Sequence, residues 1–162
     1  EMQEAKLKPN VISYNAGISA CEKAAQWENA LTLLRGLWEA KLRPSVVSYN
    51  AGISACEKGG HWQHALLLLG ELWEAELEAD VISCNAGISA CEKGGQWQHA
   101  RSLLCQFLQA KLEPTVTSYN AALGACAEVG QWEQVLSLLD EVWAARVMPN
   151  VITCSVGVSA CE

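Results

Sequence analysis

The sequence predicts an all-α protein built as an α-solenoid of 35-residue helix–turn–helix repeats. Three observations predict it. The segment VISYNAGISACEK at 11–23 returns as VVSYNAGISACEK at 46–58 and VISCNAGISACEK at 81–93, returns more loosely at 116–128, and starts again at 151. Trp27, Trp62, Trp97 and Trp132 stand 35 residues apart, and Pro9, Pro44, Pro114 and Pro149 keep the same register, with Ala79 in place of one proline. Inside each unit the apolar residues recur at helical spacing, not with the alternation of a strand.

Four complete units follow at 11–45, 46–80, 81–115 and 116–150. Residues 1–10 read as the tail of a preceding unit and 151–162 as the first helix of a truncated fifth, so the chain reads as a stretch of a longer array. In the first unit Tyr14, Ile18 and Cys21 fall at i, i+4 and i+7, one face of a helix A expected over about 13–23. Ser13, and after it Ser48, Ser83 and Ser118, are the expected N-caps of these helices. A small pair follows, Ala24-Ala25, replaced by Gly59-Gly60 and Gly94-Gly95, which ends the helix and opens a turn.

Trp27, Ala30, Leu31, Leu34, Leu37 and Trp38 then make the apolar stripe of a helix B expected over about 27–41, closed by the proline. One such hairpin cannot bury its own stripe, and stacking against its neighbours completes the core. The seven tryptophans are expected in the core or between repeats. Gly17, Gly52 and Gly87 inside helix A predict a close approach of another helix.

Composition narrows the function. Half of the residues are hydrophobic, which excludes a disordered chain. The net charge of −7 excludes a protein that coats nucleic acid by charge alone. Eight cysteines in a short chain raise the question of a disulfide framework, but Cys21, Cys56, Cys91, Cys126 and Cys161 recur once per unit. Cys84 and Cys91, like Cys154 and Cys161, lie seven apart, about 10.5 Å along a helix and too far to bridge. Reduced thiols and a reducing compartment are expected.

No apolar run is long enough to cross a membrane. His61 and His64, spaced i, i+3, with His99 repeating the place of His64, lack a third ligand and read as exposed polar positions on helix B, so no metal is expected. No nucleophile–base pair, phosphate-binding glycine loop or carboxylate pair is present, so neither enzymatic activity nor a cofactor is expected.

A period of 35, units opening V-x-x-Y-N, and units closing on proline followed by a small polar residue together resemble the pentatricopeptide repeat family, over the whole chain. The resemblance implies a right-handed superhelix whose inner groove holds single-stranded RNA, one base per unit. It implies that the fifth residue of a unit contacts the base edge, the last tunes that contact, and the second packs as an aliphatic wedge. On this chain those positions are Asn15 with Ser45 and wedge Ile12, then Asn50 with Asp80 and Val47, then Asn85 with Thr115 and Ile82. The fourth unit has Asn120 with Asn150, and Thr117 replaces the aliphatic wedge. The fifth contributes Ile152, with Ser155 in the asparagine position.

The implied preference, 5′ to 3′, is C, U, a pyrimidine, then C or U. An Asn amide carries a donor and an acceptor side by side, suited to a base edge. The same asparagines also suit a helix cap or first turn. The resemblance further implies that Lys23, Lys58 and Lys93 lie near the RNA backbone; each also suits the C-terminal dipole of helix A. Glu22, Glu57 and Glu92 stand beside them, and Glu128 takes the lysine position in the fourth unit.

The family is associated with mitochondria and plastids and with RNA processing there. A groove that holds peptides, as in other helical solenoids, is the alternative occupant. Each end of the array leaves a repeat face without a neighbour, so self-association of copies end to end is also expected.

Overall fold

The computed structural model describes residues 10–160. The tail at 1–9 with Pro9, and Cys161 at the other end, lie outside the described residues. Nine helices are found among those described: α1 Val11–Lys23, α2 Trp27–Glu39, α3 Val46–Lys58, α4 Trp62–Glu74, α5 Val81–Lys93, α6 Trp97–Gln109, α7 Val116–Glu128, α8 Trp132–Ala144 and α9 Val151–Ser159. Odd numbers are the A helices and even numbers the B helices of an all-α solenoid.

Both helices are displaced from their expected limits, each for a local reason. Helix A starts on the first residue of its unit, two residues earlier than expected, because the last residue of the preceding unit is its N-cap. Asn10, Ser45, Asp80, Thr115 and Asn150 all hold extended backbone there. Ser13, Ser48, Ser83 and Ser118 are therefore not the caps. They stand at the third helical position, where the Ser48, Ser83 and Ser118 hydroxyls accept the cap residue's backbone N–H at 2.9, 3.3 and 2.9 Å. This is the returning half of a capping box, made by serine where glutamate is more usual.

Helix B stops at residue 39 of the first unit, well before Pro44. Lys41, Glu76, Lys111 and Arg146 turn into the left-handed region, with φ between 55° and 58°. The following N–H, as from Leu42 to the Leu37 carbonyl at 2.9 Å, closes a Schellman-type stop. A non-glycine residue in that conformation costs about 1 kcal/mol, so tertiary packing holds this turn.

The glycine pair after helix A divides two tasks. Gly60 and Gly95 supply positive φ, 76° and 62°. Gly59 and Gly94 make room for a tryptophan of the preceding unit. A Cβ on Gly59 would stand 2.9 Å from Trp27 Cδ1, and one on Gly94 would run into the Trp62 ring. Trp27 and Trp62 thus pack between repeats, as expected, whereas Trp132, the first tryptophan of α8, is 52% exposed. Trp38, Trp73 and Trp143 do not pack there either: all three are exposed, on the last turns of their B helices. Gly17, Gly52 and Gly87 mark close approach to leucine side chains of helix B, with an added Cβ 3.0–3.1 Å from Leu33, Leu68 and Leu69. The buried Ala122 shows that one methyl group fits at this place.

The A helices pack on one another in sequence, α1 on α3, α3 on α5, α5 on α7 and α7 on α9. Each B helix packs between its own A helix and the next, and successive B helices meet only through long side chains, as where Arg101 of α6 bonds Ser137 and Glu141 of α8 at 3.1 Å. The layer with the closer spacing lies on the inside of the curve. Tyr49, Ile53 and Cys56 of α3, with Leu68, Leu69 and Leu72 of α4, show how one unit fills the core between layers. The buried cysteines are part of this core as free thiols, and burial pushes Cys56, Cys84 and Cys91 up to about 11. They remain protonated and unreactive at neutral pH.

Two isoleucines on α5 separate fold from surface. Ile88 is 0% exposed and Ile82 is 62% exposed. Ile88→Ala should cost about 2–5 kcal/mol and Ile82→Ala no more than about 0.5 kcal/mol, read from urea unfolding followed by circular dichroism.

Candidate nucleic-acid interface

One face of each A helix stays free of the core. In the first unit it carries Ile12, Asn15, Ser19 and Glu22, spaced three or four apart and so aligned along the helix. Stacking of the A helices repeats that stripe, placing like residues in rows across the inner layer. Ile12, Val47, Ile82, Thr117 and Ile152 form an exposed row at the helix starts, and Asn15, Asn50, Asn85 and Asn120 a half-buried row one turn further on. Ser155, in the fifth unit, is exposed. The expected base-contacting and wedge positions therefore share one surface.

The amides are not free groups. Each Oδ1 accepts the hydroxyl proton of the third residue of the next unit. Ser48 donates to Asn15 at 2.6 Å, Ser83 to Asn50 at 2.5 Å, Ser118 to Asn85 at 2.6 Å and Thr153 to Asn120 at 2.7 Å. Those four hydroxyl residues are fully buried.

The amide nitrogens point to the last residue of their own unit. Asn50 Nδ2 donates to both Asp80 carboxylate oxygens at 3.1 Å, Asn120 Nδ2 to Asn150 Oδ1 at 3.1 Å, and Asn15 Nδ2 more loosely to Ser45 Oγ at 3.5 Å. Asn85 and Thr115 are not joined this way. After these bonds each amide retains one lone pair, with one N–H in three units and two in Asn85.

Asp80 fixes its amide most firmly. Turning the amide over would set Oδ1 against a carboxylate. Burial raises the Asp80 pKa, but hydrogen bonds from Ser83, Asn50 and Ile82 outweigh it and hold the carboxyl below its ordinary range. The group is charged at neutral pH. Serine, threonine and asparagine at the equivalent places impose no such electrostatic preference.

The far end of the stripe is an acid–base ladder between units. Lys58 Nζ lies 2.9 Å from Glu22 and Lys93 Nζ 2.6 Å from Glu57. The lysine side chains are 42% and 48% exposed, against 25% and 17% for their partners, so the ammonium groups face outward. An ammonium has three donors, and one carboxylate leaves others for a phosphate. Lys23 is exposed, and no ion pair is found for it among the described residues.

The ladder breaks at the fourth unit, where Glu128 faces Glu92. Burial, then Glu128 and Glu57, push the Glu92 carboxyl up to about 7, with Lys93 opposing. Glu92 lies over Gly124, where a Cβ would collide with its carboxylate. His61 and His64 stack instead on Trp27, with ring centroids 4.0 and 4.7 Å away, and are half-buried, not the exposed polar residues expected. His99 is exposed.

A model of the pentatricopeptide repeat domain matches residues 1–58 and 67–129, and one of the single PPR repeat matches 47–77 and 117–146. The chain belongs to the pentatricopeptide repeat family. Among solved structures it is similar to the pentatricopeptide repeat protein PPR10 in complex with an 18-nt psaJ RNA element, at 24% identity and TM-score 0.80, over 96% of this chain and 23% of that one. It is similar to PPR10 from maize at 26% identity and TM-score 0.72, over 96% and 22%. A third match is the PPR domain of Arabidopsis thaliana protein-only RNase P 1 in complex with tRNA, at 11% identity and TM-score 0.82, over 96% and 82%. The chain thus spans less than a quarter of the PPR10 chains. No curated protein matched it.

Sequence reasoning missed Ser48, Ser83, Ser118 and Thr153 as partners of the asparagines. The available signal was that hydroxyl and amide recur with the same period, 33 residues apart across a unit boundary.

The broken rung has a pH signature. A carboxyl raised from 4.5 to about 7 keeps its proton in the fold, so stability falls as pH rises between those values. Glu128→Lys should restore the rung and stabilise the protein at pH 8 by on the order of 1 kcal/mol. The gain over the parent, measured by urea midpoints, should shrink toward pH 5.

Proposed function

We propose that this array binds single-stranded RNA along the inner face of its A helices, one base per unit, with a preference for pyrimidines. The observation that carries the reading is the paired row, an exposed aliphatic residue and one turn later an oriented amide, repeated through the units. Membership of the family supports it, as do the RNA-bound states of PPR10 and of the protein-only RNase P 1 domain.

In this reading bases enter between successive wedges, Ile12, Val47, Ile82, Thr117 and Ile152, and Asn15, Asn50, Asn85 and Asn120 meet their edges. Asn50 beside Asp80 reads U, Asn15 beside Ser45 reads C, Asn85 beside Thr115 a pyrimidine, and Asn120 beside Asn150 C or U. Lys23, Lys58 and Lys93 face the phosphates. No catalytic group or cofactor enters. By family analogy the compartment is a mitochondrion or plastid, and the whole protein acts in RNA processing.

Four bases must offset the cost of association, and the chain carries a charge of −7, so binding by this stretch alone is weak. The Kd for a pyrimidine-rich octamer at low salt should be on the order of 10 μM or weaker. Oligo-A should bind about tenfold less tightly or worse. Fluorescence anisotropy measures both. Equal affinity for the two would overturn the base assignment, and failure of a longer array of the same repeats to bind any RNA would overturn the function.

A further inference from the structure

The buried hydroxyl at the third position of each A helix occupies a decisive place. It is not on the exposed stripe, yet it bonds the one side chain per unit to which base reading is assigned. The same atom performs two tasks. Ser83 Oγ accepts the Asp80 backbone N–H at 3.3 Å, which anchors the start of α5, and its O–H has two acceptors in reach, Asn50 Oδ1 at 2.5 Å and Asp80 Oδ1 at 2.9 Å. A hydroxyl has a single proton. The shorter bond, to the Asn50 carbonyl, fixes that end of the amide inward, and the Nδ2–H bonds to Asp80 hold the other. The geometry repeats at Ser48, Ser118 and Thr153, in each case with the asparagine of the unit before.

We propose that Ser48, Ser83, Ser118 and Thr153 are positioning residues for base choice, each setting which amide atoms the asparagine of the preceding unit presents. The claim rests on the base-reading function proposed above and extends it. The reading element is then composite and straddles the unit boundary: an amide from one unit, its last residue, and a hydroxyl from the next. A unit placed before a neighbour lacking that hydroxyl loses discrimination although its own residues are intact. The effect is largest where the last residue is neutral, as at Ser45 and Thr115, because no carboxylate there holds the amide from the other side.

The test uses Ser118→Ala and Ser83→Ala in the full chain, each with its threonine variant, since Thr153 fills the same place naturally. Asn85 and Asn50 are the affected readers. Competition binding with RNAs varied at one nucleotide at a time should show Ser118→Ala losing roughly five- to tenfold discrimination at the nucleotide facing the third unit. Ser83→Ala should lose less, at the second. Discrimination at other nucleotides should hold, and Ser118→Thr should restore it. Unchanged discrimination, or an equal loss at every nucleotide, would overturn the proposal.

A second measurement needs no RNA. In the free protein, the Asn85 side-chain NH2 resonances should shift and exchange faster with solvent in Ser118→Ala, and return in Ser118→Thr. Resonances that stay in place would overturn the positioning role even if RNA binds well. Absence of RNA binding by the parent with shifted resonances would sink the function but leave the amide restraint standing. Should Ser118→Ala fail to fold, the same two readings are taken on Ser48→Ala and Asn15.

Discussion

The hydrogen-bonded seam at the start of each A helix is the constraint on which the rest of the structure depends. A helix N-terminus exposes backbone N–H groups that need partners. Here the partners come from the end of the preceding unit, and the hydroxyl that closes the box hands its proton to an asparagine one unit back. Helix initiation, the pairing of successive units and the orientation of the half-buried amide therefore share atoms. The uninterrupted period of 35 sets cap, hydroxyl and amide at the same places in every complete unit.

The seam also shows how an acidic chain can offer a surface to an anion. Net charge describes the whole molecule, while binding senses the charge nearest the ligand. In the ladder, the glutamates are the more buried partners and the lysines the more exposed. Each carboxylate is paid for locally by a neighbouring unit's cation, and the outward charge is positive wherever a rung is complete. Only the junction of the third and fourth units, with Glu92 against Glu128, presents two acids instead.

Much of this was legible in the sequence, because a repeated unit states its own period. The positions of Tyr49, Ile53 and Cys56 toward the core, the turn at the glycine pairs and the close approach at Gly52 all follow from helical spacing and residue size. The cap was not legible. Asp80 and Ser83 are both good capping residues within one turn, and propensity alone does not choose between them. The seam bond joins residues 33 apart and belongs to packing, not to any local pattern.

Trp38 misled for a different reason. It is apolar and close in angle to Trp27 around α2, but the cover that the next unit gives Trp27, through His61 and His64, is not matched at Trp38. In the last turn of α2 the core takes Leu37, which is fully buried, and leaves its neighbour Trp38 52% exposed.

The fourth unit shows why a solenoid is not a sum of identical modules, even when its sequence nearly is. Its departures sit together. Glu128 removes the cation that the preceding glutamate would meet, so Glu92 folds down over the fourth unit's helix. The residue beneath it is Gly124, where the other complete units carry serine, and a Cβ there would meet the Glu92 carboxylate as it lies in this fold. The two departures meet in space, since the Glu92 carboxylate rests where a side chain at 124 would extend. Nearest-neighbour terms in repeat proteins are usually placed in the apolar core between units. Here a further such term lies on the polar face, among the groups that would meet a ligand. A unit moved to a new position in the array must therefore match its neighbours in charge as well as in core shape.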